Sequence, residues 1–352
     1  MIQGHILVIG GAGFVGSNLV KMLLSEEGNQ VTALDNLLSA EKENLPLDHP
    51  RLRFIQGSIS DDRIVHALQD EYDYIFHLAT FHGNQSSIFD PLRDHENNTI
   101  TTLKLMEQVK DFKRLKKLVY SSAGCSVAEK TFDEAEATEE KEFTSIRHDS
   151  PYSISKIIGE FYCVYYFNQH KVPAVRARFQ NVYGPGEVLG AGDWRGTYAT
   201  VWRNVTPTFV YKAMKGMPMS IENEGIASRD FIFVDDICRG LIACAEKGRE
   251  GEVYNIASGR ETTIRELAEL IMELTQSQSP LEFLPKRAWD NSGKRFGDPT
   301  KSRNELGFEA KTDIREGLEK TVAWTRENFD RIERTMHKHD EAMKAVGGAM
   351  PW

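Results

Sequence analysis

Short apolar runs separated by longer stretches of helical spacing organise the first half of the chain. "HILVIG" leads into a helical pattern over 14 to 24, "VTALD" and "LRFIQG" follow, and a second helical pattern covers 61 to 69. "YIFHLA" then precedes a pattern over 97 to 112, "KLVYSS" one over 152 to 169, and "AVRAR" closes the series. Strands alternating with helices in this rhythm are joined by crossovers and so lie parallel. The pattern predicts an α/β fold with a doubly wound parallel sheet of the Rossmann type.

After Gly184 the rhythm loosens into "GPGEVLGAGDWRGTYATVWRNVTPT", a helical stretch near 207 to 215 and "MSIENEGIASRDFIFVDD". "VYNIAS" and "LEFLP" read as further strands, and 262 to 275 and 313 to 336 as helices. Long irregular insertions in compact domains commonly carry function. The expected division is therefore a dinucleotide-binding portion over 1–182 with returns near 229–257, a substrate-binding portion over 183–228 and 258–312, and a C-terminal helical segment over 313–352.

Composition narrows the field. With 352 residues, 40% hydrophobic and 27% charged, the chain can bury a substantial core. Its formal charge of -9 gives no electrostatic reason to approach nucleic acid or an anionic membrane. No apolar run reaches about 18 residues, so membrane insertion is not expected. The N-terminal stretch lacks the charged, apolar and small-residue regions of a secretory signal. Cys125, Cys163, Cys238 and Cys244 form no metal-type spacing, which with the rest points to a reduced, cytoplasmic setting. His337 and His339 are read as solvated, no metal site is expected, and the acidic tract 129–142 is read as a solvated loop.

"VIGGAGFVG" places Gly10, Gly13 and Gly16 between a strand and a helix. Glycines there let the backbone approach a pyrophosphate closely, and the helix N-terminus supplies unpaired amides. Asp35 closes the second strand nineteen residues after Gly16, where a carboxylate can accept bonds from adenosine ribose hydroxyls and repel a 2'-phosphate. NAD is thus preferred to NADP, the competing reading being that Asp35 caps a turn. Downstream, "PYSISK" sets Tyr152 and Lys156 four residues apart, on one face of a helix. A phenol ordinarily titrates at about 10 and needs a neighbouring cation to act as a base near neutrality.

In order, "GGAGFVG", "DN" at 35 and 36, "FHLAT", "NN" at 97 and 98, "YSS", "PYSISK", "RFQNVYGP", "RDFIFVDD", "YNIASG" and "DPTKSRNELGF" run almost the length of the chain. This series resembles the extended short-chain dehydrogenase/reductase superfamily, in its nucleotide-sugar epimerase and dehydratase branch. The resemblance implies an NAD site formed by Gly10, Gly13, Phe14, Val15, Asp35, Asn36, Ser58, Ile59, Leu78, Ala79, Thr80, Asn98, Ser121, Tyr152 and Lys156. It implies that Tyr152 removes a sugar hydroxyl proton, Lys156 supports it, and hydride passes to the cofactor and later returns. It places the nucleotide sugar against His82, Ser122, Asn181, Arg229 and Arg287, and a homodimer through the helices at 97–112 and 152–169. Arg suits diphosphate because its fork bonds oxygens in pairs.

Family members carry Ser or Thr after the fifth strand, bonded to the hydroxyl being oxidised. Ser122 is assigned here, although ungapped comparison sets Ala123 in the slot; a structural serine is the alternative. Dehydratases and sugar-acid decarboxylases add acidic residues at this point, where this chain has Ala123 and Gly124. Epimerisation therefore leads. Inversion at C4 needs only hydride return; inversion at C3 or C5 needs a further acid/base, for which Cys125 is the candidate and a packing cysteine the alternative. Arg195, Arg203, Lys294 and Arg295 could meet a uronate carboxylate. A UDP-hexose, acetamido sugar or hexuronic acid is expected, in bacterial surface polysaccharide or O-antigen synthesis. A 4,6-dehydratase or C3/C5 epimerase is the enzyme alternative, and an NAD-binding regulator the non-enzyme one.

Overall fold

The computed structural model describes residues 2–81, 83–127, 131–141, 148–286 and 293–347, apart from the side chain of Cys125. Its centre is a seven-stranded sheet: β1 (His5–Ile9), β2 (Gln30–Asp35), β3 (Leu52–Gln56), β4 (Tyr74–His77), β5 (Lys117–Ala123), β6 (Ala174–Phe179) and β7 (Val253–Ile256). The order is β7-β6-β5-β4-β1-β2-β3, and every pairing is parallel. Strand alternation divides the core: Ile6 and Val8 join one apolar cluster, Leu7 and Ile9 the other. The expected doubly wound Rossmann-type sheet is what the chain forms.

The helices that cover it follow from the same periodicity. Helix α1 (Phe14–Leu24) begins directly after the glycine turn, and α2 (Thr101–Val109) continues a π-helical turn over His95–Ile100. Helix α3 (Pro151–His170) has Pro151 in its first turn, Ser150 as a side-chain N-cap, and Lys171 in the left-handed region at φ 61° as its end. It lies close on β5 because residue 159 is glycine: a Cβ there would sit 2.1 Å from the Tyr120 hydroxyl oxygen. Further helices are α4 (Val205–Lys215), α5 (Val234–Lys247), α6 (Ile264–Thr275) and α7 (Ile314–Glu327).

Several boundaries differ from expectation for local reasons. The helix expected over 61–69 is confined to Asp62–His66, and the one expected over 313–336 breaks at Asn328, φ -107°, before continuing as Phe329–His337. Helix α5 was not anticipated, although Val234, Ile237, Cys238, Leu241, Ile242 and Ala245 repeat along one buried face. Segment 188–201 and helices 329–345 share a third apolar cluster, with Val188, Leu189, Val201, Ile332 and Met336 buried. His339 is part of that contact: it is buried, with Nε2 2.8 Å from the Gly190 carbonyl, which corrects the expectation that it is solvated. His337 is exposed and meets Asp340. Among the described residues no helix is long and apolar enough to cross a membrane.

Candidate active site

Strand order reverses between β4 and β1, and the carboxyl ends of neighbouring strands diverge there to open a crevice. The crevice is about 810 Å³ and continues under segment 198–212. At its β1 end the glycine turn is enforced by space. A Cβ on Gly16 would lie 2.0 Å from the Gly10 carbonyl oxygen, and Gly10 itself has φ +83° with its Cβ position 2.6 Å from the Ala79 amide nitrogen. Gly13 caps α1 without a side-chain bond and the first turn carries no acidic residue, so its amides suit an anion.

Asp35 faces the same turn. Its carboxylate accepts from the amides of Ala12 at 3.0 Å and Leu37 at 2.8 Å. Burial pushes its carboxyl up, opposed by bonds from the amides of Leu37, Ala12 and Gly13. Gly10, Gly13, Phe14, Val15, Asp35, Asn36, Ser58, Ile59, Leu78, Ala79, Thr80, Ser121, Tyr152 and Lys156 all line the crevice. Asn98 does not. Its Oδ1 accepts from the Phe81 amide (2.7 Å) and the Thr80 hydroxyl (3.0 Å), and its Nδ2 donates to Asp94 (2.8 Å). The expected cofactor ligand instead ties the loop after β4 to the turn before α2. Asp94 beside it is buried, which pushes its carboxyl up to about 6 against bonds from Ser155 and Asn98 and the Lys156 charge.

Tyr152 and Lys156 stand on the first turns of α3, facing the end of β5. Lys156 Nζ donates to the Ser121 carbonyl at 2.9 Å and lies 5.8 Å from the Tyr152 ring centroid. The Ser121 hydroxyl donates to the His77 carbonyl at 2.9 Å. Ser122 lines the crevice and has a second partner that the sequence does not show: its buried hydroxyl donates to Glu160 Oε1 at 2.5 Å. Glu160 is gripped by Arg178 through Nε at 2.8 Å and Nη2 at 2.9 Å, and by Arg176 at 3.3 Å. Burial opposes the ionised Glu160, but the arginines and Ser122 outweigh it and hold the carboxyl below its ordinary range. Ala123 and Gly124 offer no polar side chain, and a Cβ at Gly124 would meet the Gln180 amide at 2.3 Å.

At the far end, Asn181 and Arg229 line the crevice, and Arg229 Nη1 donates to the carbonyls of Ser228 and Gly293, both at 2.6 Å. His82, Arg287 and the Cys125 side chain lie outside the described residues. Of the two arginines expected as carboxylate ligands, Arg195 does not line the crevice and its Nη1 donates to Ser39 Oγ at 2.9 Å, whereas Arg203 lines it with its terminal nitrogens donating to the carbonyls of Ser39 (3.0 Å) and Ala191 (2.6 Å). Arg295 lines the crevice and Lys294 does not; the Lys294 backbone amide donates to the Thr131 carbonyl at 2.7 Å. No group of three or more potential metal ligands occurs among the described residues. Sequence reasoning missed Glu160, Glu187 and Arg178, whose settings depend on distant segments.

This geometry agrees with what the chain is similar to. Residues 6–257 match the model of the NAD dependent epimerase/dehydratase family. The chain belongs to that family. UDP-glucose 4-epimerase of Mycolicibacterium smegmatis is 31% identical over 323 residues, spanning 91% of this chain and 98% of that protein. Among solved structures, Bordetella bronchiseptica WbmF in complex with NAD+ and UDP is 62% identical, covers 97% of each chain and superposes with a TM-score of 0.87. Mth375, an epimerase of Methanothermobacter thermautotrophicus, is 38% identical over 94% of this chain and 95% of its own, with a TM-score of 0.86. The family acts with NAD, and the glycine turn, α1 and Asp35 are shaped to hold a dinucleotide without a 2'-phosphate.

Proposed function

We propose that the chain is an NAD-dependent epimerase of a UDP-activated hexose, inverting C4 through a transient 4-keto sugar. The observation that carries this reading is the Tyr152–Lys156 pair at the crevice beside a β5 end whose Ala123 and Gly124 have no acid to drive elimination. NAD bound in the crevice supplies the acceptor and later donor of hydride. Tyr152 takes the proton of the C4 hydroxyl and returns it; Lys156, held by the Ser121 carbonyl, supplies the positive field that favours the phenolate. Asn181 and Arg229 hold the diphosphate while the ketone presents its other face, and Arg287 and His82 are proposed to join them. Cys125 is kept as the acid/base only for the C3/C5 alternative. Ser122 acts through Glu160 and α3, and Asn98 through Thr80 and Phe81.

The proposal extends to a homodimer. Ile154, Phe161 and Tyr165 form one exposed apolar face of α3. Among the described residues Cys163, Cys238 and Cys244 are buried and unpaired, which supports a reduced cytoplasmic setting. The division into dinucleotide-binding, substrate-binding and C-terminal portions is proposed with the boundaries given above. Surface polysaccharide synthesis is the setting that the resemblance implies.

Incubating the protein with UDP-hexoses, acetamido sugars and uronic acids in heavy water, with NMR and mass analysis, tests the reading. The expected product is inverted at C4 and carries no solvent deuterium. Deuterium at C3 or C5, or loss of water, refutes it.

A further inference from the structure

The glycine turn is fastened from outside the dinucleotide-binding portion. Ala12, between Gly11 and Gly13, uses both of its backbone groups: its amide donates to Asp35 Oδ2 at 3.0 Å, and its carbonyl accepts from Asn44 Nδ2 at 2.9 Å. Asn44 closes a short helical turn, Lys42–Asn44, after β2 and is buried. The oxygen of the same side-chain amide accepts from Arg331 Nη2 at 2.6 Å. Arg331 lies 287 residues further along, on the helix Phe329–His337. One string of hydrogen bonds thus runs from a C-terminal helix through Asn44 to the turn shaped for a pyrophosphate, and on to Asp35.

That helix is itself anchored. Ile332 and Met336 are buried in one apolar cluster with Val188, Leu189 and Val201, and the Thr335 hydroxyl donates to the Leu189 carbonyl at 2.8 Å. A second tie reaches the loop after β2: Lys338 Nζ and the Gly192 amide both donate to Glu41 Oε1, at 2.6 and 3.1 Å. Leu38, Ser39 and Ala40, just before Glu41, line the crevice. A side-chain amide has one donor end and one acceptor end, and a guanidinium only donates. Arg331 therefore bonds the Asn44 oxygen and directs the nitrogen to the Ala12 carbonyl. A buried Asn44 oxygen deprived of this donor would have to seek another, and the nitrogen would leave Ala12 with it.

We propose that Arg331 is a positioning residue for the cofactor: acting through Asn44, it fixes the Ala12 peptide and with it the glycine turn that receives the NAD pyrophosphate. The C-terminal helices are then part of what retains NAD, because a turn already set needs no ordering when the cofactor binds. The inference concerns the cofactor alone and holds whichever sugar is bound.

Release of NADH from the loaded full-length protein, chased with excess NAD and followed by nicotinamide fluorescence, tests it. Arg331→Met is expected to speed release about 5- to 20-fold, and Arg331→Lys, which keeps a donor, to bring it back to within about threefold of the parent. Asn44→Ala should speed release at least as much. Adding Arg331→Met to it should change the rate by less than about twofold, since both act on one string. Met336→Ala, which opens the apolar base of the same helix, is expected to lower the thermal midpoint yet leave release within about twofold of the parent. Circular dichroism follows folding throughout. Release from Arg331→Met at the parent rate overturns the proposal. So do equal gains in Arg331→Met and Met336→Ala, which would make the helix a general support, and multiplied effects in the double variant, which would separate Arg331 from Asn44.

Discussion

Replacing Ser122 with alanine separates two roles that look alike in the sequence. If the hydroxyl served the sugar, its loss would remove a bond that strengthens as the C4 oxygen changes charge, and turnover would fall by about 10²-fold or more. The structure gives it another partner: Oγ donates to Glu160, which keeps two bonds from Arg178 and one from Arg176 after the substitution. Losing one hydrogen bond to a charged acceptor costs about 1–2 kcal/mol here, because the carboxylate remains paired. Unfolding entropy of about 2.1 cal/mol/K per residue over 352 residues converts this to a drop in thermal midpoint of about 1–3 °C. Turnover should stay within about threefold of the parent.

Glu160→Leu is the contrast. It leaves Arg178, 5% exposed, without its carboxylate, a change that costs about 3–5 kcal/mol. Differential scanning calorimetry and steady-state kinetics on the two variants read both quantities. A Ser122→Ala protein that melts like the parent but loses 10²-fold or more in kcat would refute the assignment and return Ser122 to the sugar.

Three other outcomes are expected. Tyr152→Phe should lower kcat by about 10³-fold while NAD still raises the thermal midpoint, since the phenol alone is lost; turnover within tenfold of the parent would remove Tyr152 from the proton transfer. His77 is buried with Nδ1 unpartnered, and burial, with the nearby Lys156 charge, pushes its imidazole down to about 3. Its contribution is therefore full above the unfolded value of about 6.5 and is lost as pH falls toward 3, so about 2 kcal/mol should go between pH 7 and 5. Urea titrations should show this slope and its reduction in His77→Gln; equal slopes would reject the cause. Phe161→Glu, at a residue 62% exposed on α3, should shift sedimentation from dimer to monomer without altering the melting of the monomer; an unchanged dimer would place the interface elsewhere.

What could be read from the sequence is what a single turn or strand determines. Gly10, Gly13 and Gly16 meet one another within a strand-to-helix turn, and Tyr152 and Lys156 share a helix face, so their spacing carries their geometry. For Ser122 the bond to Glu160 is partly legible in the local pattern. Strand alternation sets Tyr120 and Ser122 on the same side of β5, and Tyr120 packs beneath α3, its hydroxyl donating to the Lys156 carbonyl at 3.3 Å. A hydroxyl two residues along must look the same way, toward Glu160. Helix α5 is equally legible in the periodic apolar positions that follow "RDFIFVDD".

The remaining residues are set by partners no spacing reveals. Asn98 is consumed by Phe81 and Thr80 as well as Asp94, and Arg203 by Ser39, 164 residues away. Each is polar and close to the crevice, which is why each reads as a ligand residue. Burial reverses that reading, because a buried polar side chain must first satisfy the loops around it, and only atoms left over can serve a substrate. By that criterion Asn98 and the terminal nitrogens of Arg203 belong to the scaffold.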